Sequence, residues 1–136
     1  MSLLVDTSVW SLALRRDAPD PAAPEIERLR GALSSREAVY TTGLVLQELL
    51  QGFSGPRQHE AIVSRFAALP LVVPDRRDHI EAAGIRNTCR RKGVQLGTID
   101  ALLAQLAIRH ELVLLTTDGD FTHAARHVGL EIWGRR

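Results

Sequence analysis

A single cysteine, Cys89, is all the thiol chemistry this 136-residue chain carries. An internal disulfide is therefore excluded, and such sparing use of cysteine fits a reducing compartment. A structural zinc site is excluded as well, because no group of cysteines and histidines has zinc-ligand spacing. Also missing is any apolar run near the roughly 18 residues that a membrane span requires. The opening MSLLVDTSVW has no basic segment and reaches an acid at Asp6, so it does not read as a secretory signal. Charge of one sign is lacking too. Lys and Arg total 17 against 16 Asp and Glu, a formal net charge of +1. Any affinity for a polyanion has to come from a local basic patch, not from the overall field. These absences point to a soluble cytoplasmic protein with no membrane contact.

What is present is a globular composition, 45% hydrophobic and 24% charged. The length suits one domain over residues 1–136 with a core of its own. Short apolar runs alternate with amphipathic segments. Ser2–Val5, Ala38–Thr41, Leu71–Val73, Leu112–Leu115 and Leu130–Trp133 read as about five short strands. Between them, Thr7–Arg16, Glu25–Leu33, a segment from Thr41 or Thr42 to Gln51, Pro56–Leu69, Arg76–Lys92 and a segment capped by Thr98 read as helices. Asp17–Pro24 reads as a loop and the Arg135-Arg136 tail as frayed. For Arg76–Lys92 the apolar side is expected at Ile80, Ala83 and Gly84, with Ile85 at one flank. Asp118-Gly119 would normally signal a hairpin, but a helical pattern (Ala124, Ala125, Val128) follows it. Alternation without hairpins predicts an α/β fold, a mostly parallel sheet with helices on both faces. The ligand site of such a sheet lies beyond the carboxyl ends of its strands.

Carboxylates gather at that edge. Asp6 ends the first strand, Asp100 lies in the first turn of the apolar helix after Thr98, and Asp118 and Asp120 follow the strand Leu112–Leu115. Each has a plainer explanation. Asp6 suits an N-cap, Asp100 a dipole-stabilising acid worth about 0.3–1 kcal/mol, and Asp118 or Asp120 turn and cap chemistry. Together they are the ligands a divalent cation takes at the end of an α/β sheet. Glu48 does not follow from periodicity. Leu46, Leu49, Leu50 and Phe53 form the apolar face of its helix, and Glu48 falls nearly opposite, beside Gln47 and Gln51. The basic run Arg86, Arg90, Arg91 and Lys92 ends another helix, where it either complements the helix dipole or contacts phosphates. Arg15 and Arg16 are further candidates for phosphate contact. His123 and His127 stand four apart on the last helical segment without the glutamate of an HExxH pattern, which makes them surface histidines.

The succession LLVDTSVW, VLQELLQG, GTIDALLAQLA and LLTTDGDF resembles the PIN-domain family, and most of all its VapC-type toxins, in order and interval over nearly the whole chain. The resemblance implies a three-layer α/β/α sandwich. It also implies an endoribonuclease dependent on Mg²⁺ or Mn²⁺, the toxin of a type II toxin–antitoxin pair, commonly a homodimer and held inactive by a cognate antitoxin. By position it implies Asp6, Glu48, Asp100 and Asp118 as catalytic acids, with Asp6 and Asp100 as direct metal ligands. Asp120 is an alternative or additional fourth acid, and Thr7 and Thr116 are supporting polar groups. Arg86, Arg90, Arg91 and Lys92 would then hold the RNA backbone, and Glu48 would have to face a cleft instead of bulk water. Three rival readings exist. A receiver-like signalling domain needs a lysine after a late strand, whereas the single lysine, Lys92, lies on a helix. A PIN-like RNA- or protein-binding module with little nuclease activity, and a metal-dependent phosphatase of the same general fold, are separated from a ribonuclease by RNA cleavage.

Overall fold

The computed structural model describes residues 2–15 and 23–134. Its elements, in chain order, are β1 (Leu3–Val5), α1 (Thr7–Leu14), α2 (Pro24–Ser34), β2 (Val39–Tyr40), α3 (Gly43–Gly52), α4 (Pro56–Phe66), α5 (Arg76–Arg91), α6 (Thr98–Arg109), β3 (Val113–Leu115) and α7 (Gly119–Ala124). Arg16, most of the Asp17–Pro24 loop and the Arg135-Arg136 tail lie outside the described residues.

The sheet has three strands where the sequence predicts about five. They run parallel in the order β2-β1-β3, with Leu3 opposite both Val39 and Val113. The other two runs do lie alongside, but each is reduced to one parallel bridge, Thr41 with Leu71 and Leu114 with Ile132. The reasons are local. Pro70 and Pro74 bracket Leu71–Val73, and proline has no N–H to give a ladder. Beyond Ile132, Gly134 takes φ 81° and turns the chain away. Five segments therefore stand side by side, but only the central three form strands.

Chain order reverses between β1 and β3, since β2 follows β1 on one side and β3 is added on the other. Right-handed crossovers in opposite directions put helices on opposite faces, which produces the three-layer α/β/α sandwich. α1 packs against α2 and α3, and α5 against α6. β1 and β3 are buried throughout, as expected of strands covered on both faces. Trp10 of α1 is fully buried, its ring centroid 4.8 Å from that of Phe66 on α4. α6 is buried continuously from Ala101 to Ala107.

The buried face of α5 differs from the expected one. It consists of Asp78, Ala82, Ile85 and Cys89, while Ile80 is 64% exposed. Asp78 is the reason. Its carboxylate is wholly buried in the α5–α6 seam, where Arg109 donates to both oxygens (2.7 Å each), Gln105 donates to Oδ1 (3.2 Å), and the Asp75 backbone N–H donates to Oδ2 (2.9 Å). Burial pushes the carboxyl up, but the hydrogen bonds, led by that from Arg109, outweigh it and hold it at about 2. An ionised aspartate with this many donors belongs inside, and it carries its helix face with it. Cys89 is a free thiol on the same face, and its burial pushes the thiol up.

Candidate functional site

The reversal of strand order opens a crevice at the carboxyl ends of β1 and β3, and Asp6 and Thr116 are the first residues beyond those two strands. Asp6 occupies the N-cap position of α1 with extended backbone, yet its side chain makes no capping bond. The plain cap explanation of Asp6 is therefore set aside. Its Oδ2 accepts instead from Ser8 Oγ and from Thr116 Oγ1, both at 2.8 Å. Each hydroxyl also accepts a backbone N–H: Ser8 Oγ from Thr117 (3.1 Å) and Thr116 Oγ1 from Asp118 (3.0 Å). With both hydroxyl protons committed to Asp6, the 3.4 Å approach of Ser8 Oγ to Thr116 Oγ1 is a contact without a proton to share. Among the described residues, Oδ1 of this buried carboxylate accepts no hydrogen bond.

Asp100 lies in the first turn of α6, whose N-cap is Gly97 and not Thr98. Burial first, then the charges of Asp6, Asp118, Glu48 and Asp120 in that order, raise its carboxyl from the ordinary 3.8 to about 6. All the acids singled out in the sequence thus act electrically on one carboxyl, which is what gathering them at one edge requires. Glu48 is an exposed residue of α3, as its helical phase predicts, but it is directed to this edge, where Thr7 Oγ1 donates to its Oε1 at 2.9 Å. The periodicity expectation for Glu48 therefore holds, since it lies off the apolar face, whereas the expected cleft is not found there: Glu48 is exposed on the side of the acids. Asp118 does cap α7, accepting from the Asp120 N–H at 2.9 Å, while Asp120 itself is exposed.

Among the described residues no three Asp, Glu, His or Cys side chains stand close enough together to grip one ion as they are. This agrees with the perturbation of Asp100, because repulsion between carboxylates reaches farther than the roughly 2 Å of a Mg²⁺–oxygen bond. The donor set is hard oxygen throughout, and Asp6 Oδ1 and the Asp100 carboxyl are uncommitted, which suits a hard divalent cation. α7 ends at Ala124, so His123 and His127 do not share a helix, and both are exposed.

The four cations at the end of α5 divide. Arg86 and Arg90 line a cleft of about 320 Å³ with Gln95, Leu96, Gly97 and, at its acidic end, Asp120. Arg91, which donates to Thr88 Oγ1 at 3.3 Å, and Lys92 are exposed and do not line it. Arg15 is exposed at the end of α1.

Ser8 is a site residue that the sequence did not single out. Its only signal was position, two residues after Asp6 in DTSVW, where α1 turns it back toward the strand it left.

The PIN domain family model matches residues 3–127. Ribonuclease VapC11 of Mycobacterium tuberculosis is 34% identical over 131 residues, covering 95% of this chain and 96% of the relative. Among solved structures, VapBC2 from Rickettsia felis bound to a DNA fragment from their promoter aligns with a TM-score of 0.74 at 19% identity over 97% of both chains. VapC20 of Mycobacterium tuberculosis, a sarcin-ricin loop cleaving toxin, aligns with a TM-score of 0.63 at 20% identity, covering 95% of this chain and 98% of that one. Acids at the reversal point of a parallel sheet, a family match over almost the full length and a relative above 30% identity agree: the chain belongs to the PIN-domain family and is related within it to the VapC ribonucleases.

Proposed function

We propose that residues 1–136 act as a single PIN domain that hydrolyses RNA endonucleolytically in the cytoplasm, as the toxin of a toxin–antitoxin pair, with Mg²⁺ or Mn²⁺ as cofactor. The observation that carries this reading is the Asp100 carboxyl, raised to about 6 by burial and by Asp6, Asp118, Glu48 and Asp120. A cation bound beside such a carboxyl would favour release of its proton to water, and a carboxyl raised by neighbouring acids is a common sign of a functional site. The kinship with a VapC ribonuclease supports RNA as substrate, and that with VapBC assemblies supports a cognate antitoxin.

Asp6 and Asp100 are the direct ligands in this reading. Asp6 and Asp100 would hold a divalent cation there, which would supply charge to offset a phosphodiester and lower the pKa of a bound water. The chain's own groups do the rest. Ser8 and Thr116 fix one oxygen of Asp6 and leave the other to a ligand. Thr7 keeps Glu48 turned to the cluster, and the α7 cap fixes Asp118. Glu48 and Asp118 would act as further catalytic acids of the cluster, and Asp120 as an additional acid beside them. The basic end of α5 holds the RNA backbone. The chain acts as a homodimer, in keeping with its family resemblance.

Purified protein free of antitoxin should cut total cellular RNA into discrete fragments with Mg²⁺ or Mn²⁺ and leave it intact with EDTA. Intact RNA with folded, metal-supplemented protein would reject the ribonuclease and favour a PIN-like binding module.

A further inference from the structure

We infer that the cleft between Arg86 and Arg90 of α5 and the Gln95–Gly97 segment is a subsite for one phosphate of the RNA backbone, adjacent to the phosphate that is cut. This rests on the ribonuclease reading of the acid cluster. The cleft borders it, since it is lined both by Gly97, the N-cap of the helix whose first turn holds Asp100, and by Asp120.

The two arginines are one helical turn apart and so share a face. Among the described residues neither has a carboxylate partner. The ion pairs among the described residues are Arg28 with Glu37, Arg77 with Glu81 and Arg109 with Asp78, and Asp120 bonds to neither cleft arginine even though it lines the same cleft. Arg86 Nε is shut off from solvent with no acceptor. Being closed to solvent, that atom cannot take a ligand in this geometry, and Arg86 would meet a phosphate through its terminal Nη groups. Among the described residues Arg90 makes a single, neutral side-chain bond, from Nη2 to Asn87 Oδ1 at 2.9 Å.

The ligand class follows from the neighbours. Glu48, Asp118 and Asp120 repel every phosphate of a strand lying across the acids, so the flanking phosphates need a cationic hold just outside. Paired guanidinium groups suit the two free oxygens of a diester phosphate. Compensation of the α5 dipole requires cations at the helix end, but it does not require them to line a cleft, and Arg91 and Lys92 meet that need without doing so.

The test compares two double variants that remove the same charge from the same helix end, Arg86→Gln/Arg90→Gln and Arg91→Gln/Lys92→Gln. Both are made in the Asp100→Asn protein so that RNA is not consumed, and their folding is checked by circular dichroism. Binding of a labelled single-stranded RNA of about twelve nucleotides is followed by fluorescence anisotropy across a salt series. The cleft pair should weaken binding roughly tenfold and flatten the log–log salt slope by about 0.7, the value for one phosphate of a single strand, while the other pair changes affinity less than about twofold. Equal losses from both pairs, or none from either, would overturn the subsite. Cleavage of total RNA by the parent protein separates the two readings. Cutting with equal losses removes the subsite alone, whereas selective loss at the cleft without cutting keeps the phosphate subsite and removes the nuclease.

Discussion

Ser8 and Thr116 each give their only hydroxyl proton to one oxygen of Asp6 and each receive a backbone N–H from the loop after β3. A carboxylate held this way cannot swing, and its free oxygen keeps one direction. Asp100 is the opposite case, a half-buried acid whose surroundings oppose its charge. Because its proton is retained up to about pH 6 instead of 3.8, this group favours folding below pH 4, and that contribution is lost as the pH rises through 6. Asp100→Asn should therefore raise the melting temperature of metal-free protein at about pH 7.5 and leave it nearly unchanged at about pH 4, as measured by thermal scans in EDTA. An equal effect at both values would mean that Asp100 is not under this electrostatic pressure. At this scale Asp6, Asp100, Asp118 and Asp120 were legible in the sequence because each sits at the end of a readable element, whereas Glu48, in the middle of α3, was singled out only by the family resemblance. Ser8 was not, since a serine in a first helical turn is commonplace and only its partner across the sheet, Thr116, gives it a role.

Three helices end in the same way. The N–H groups of Glu37, Val94 and Leu112 reach back to the carbonyls of Ala32, Cys89 and Ala107, closing α2, α5 and α6 through a left-handed residue: Arg36 (φ 59°), Gly93 (φ 78°) and Glu111 (φ 53°). Only Gly93 is a glycine, which is why only that end was marked in the sequence. Side chains in this conformation cost about 1–2 kcal/mol, so Glu111→Gly should stabilise the protein by up to about 1 kcal/mol in denaturant melts, after the extra chain entropy of glycine is counted. Destabilisation instead would show that the glutamate side chain contributes more than its backbone costs. Helix phase was legible where the buried face is apolar, as in α6, and misread in α5. There Asp78 is a core residue because Arg109 and Gln105, about thirty positions later, neutralise and solvate it. No pattern local to α5 carries that information. The outer strands failed for a related reason: their composition suited a sheet, but the flanking prolines and Gly134 left too few ladder groups.

Across the whole molecule the reversal of strand order places the ends of β1 and β3 side by side, and α3, α6 and the β3–α7 loop bring their acids to the same edge. The end of α5 supplies positive charge next to them, although the chain as a whole is nearly neutral. Fold and acid positions were therefore readable together, because strand–helix alternation fixes which edge collects the loops. Which cations face the cleft was not readable, since Arg86, Arg90, Arg91 and Lys92 look alike until the helix is docked. The central claim is that these acids form one cation site built on Asp100. It is tested most directly by calorimetric titration of Mn²⁺ into the wild-type protein and into Asp100→Asn. Saturable binding in the wild type that is weakened by at least about tenfold in the folded variant is the expected result. Binding of equal affinity in both proteins would contradict it, because the ion would then be held without the residue on which all the other acids act.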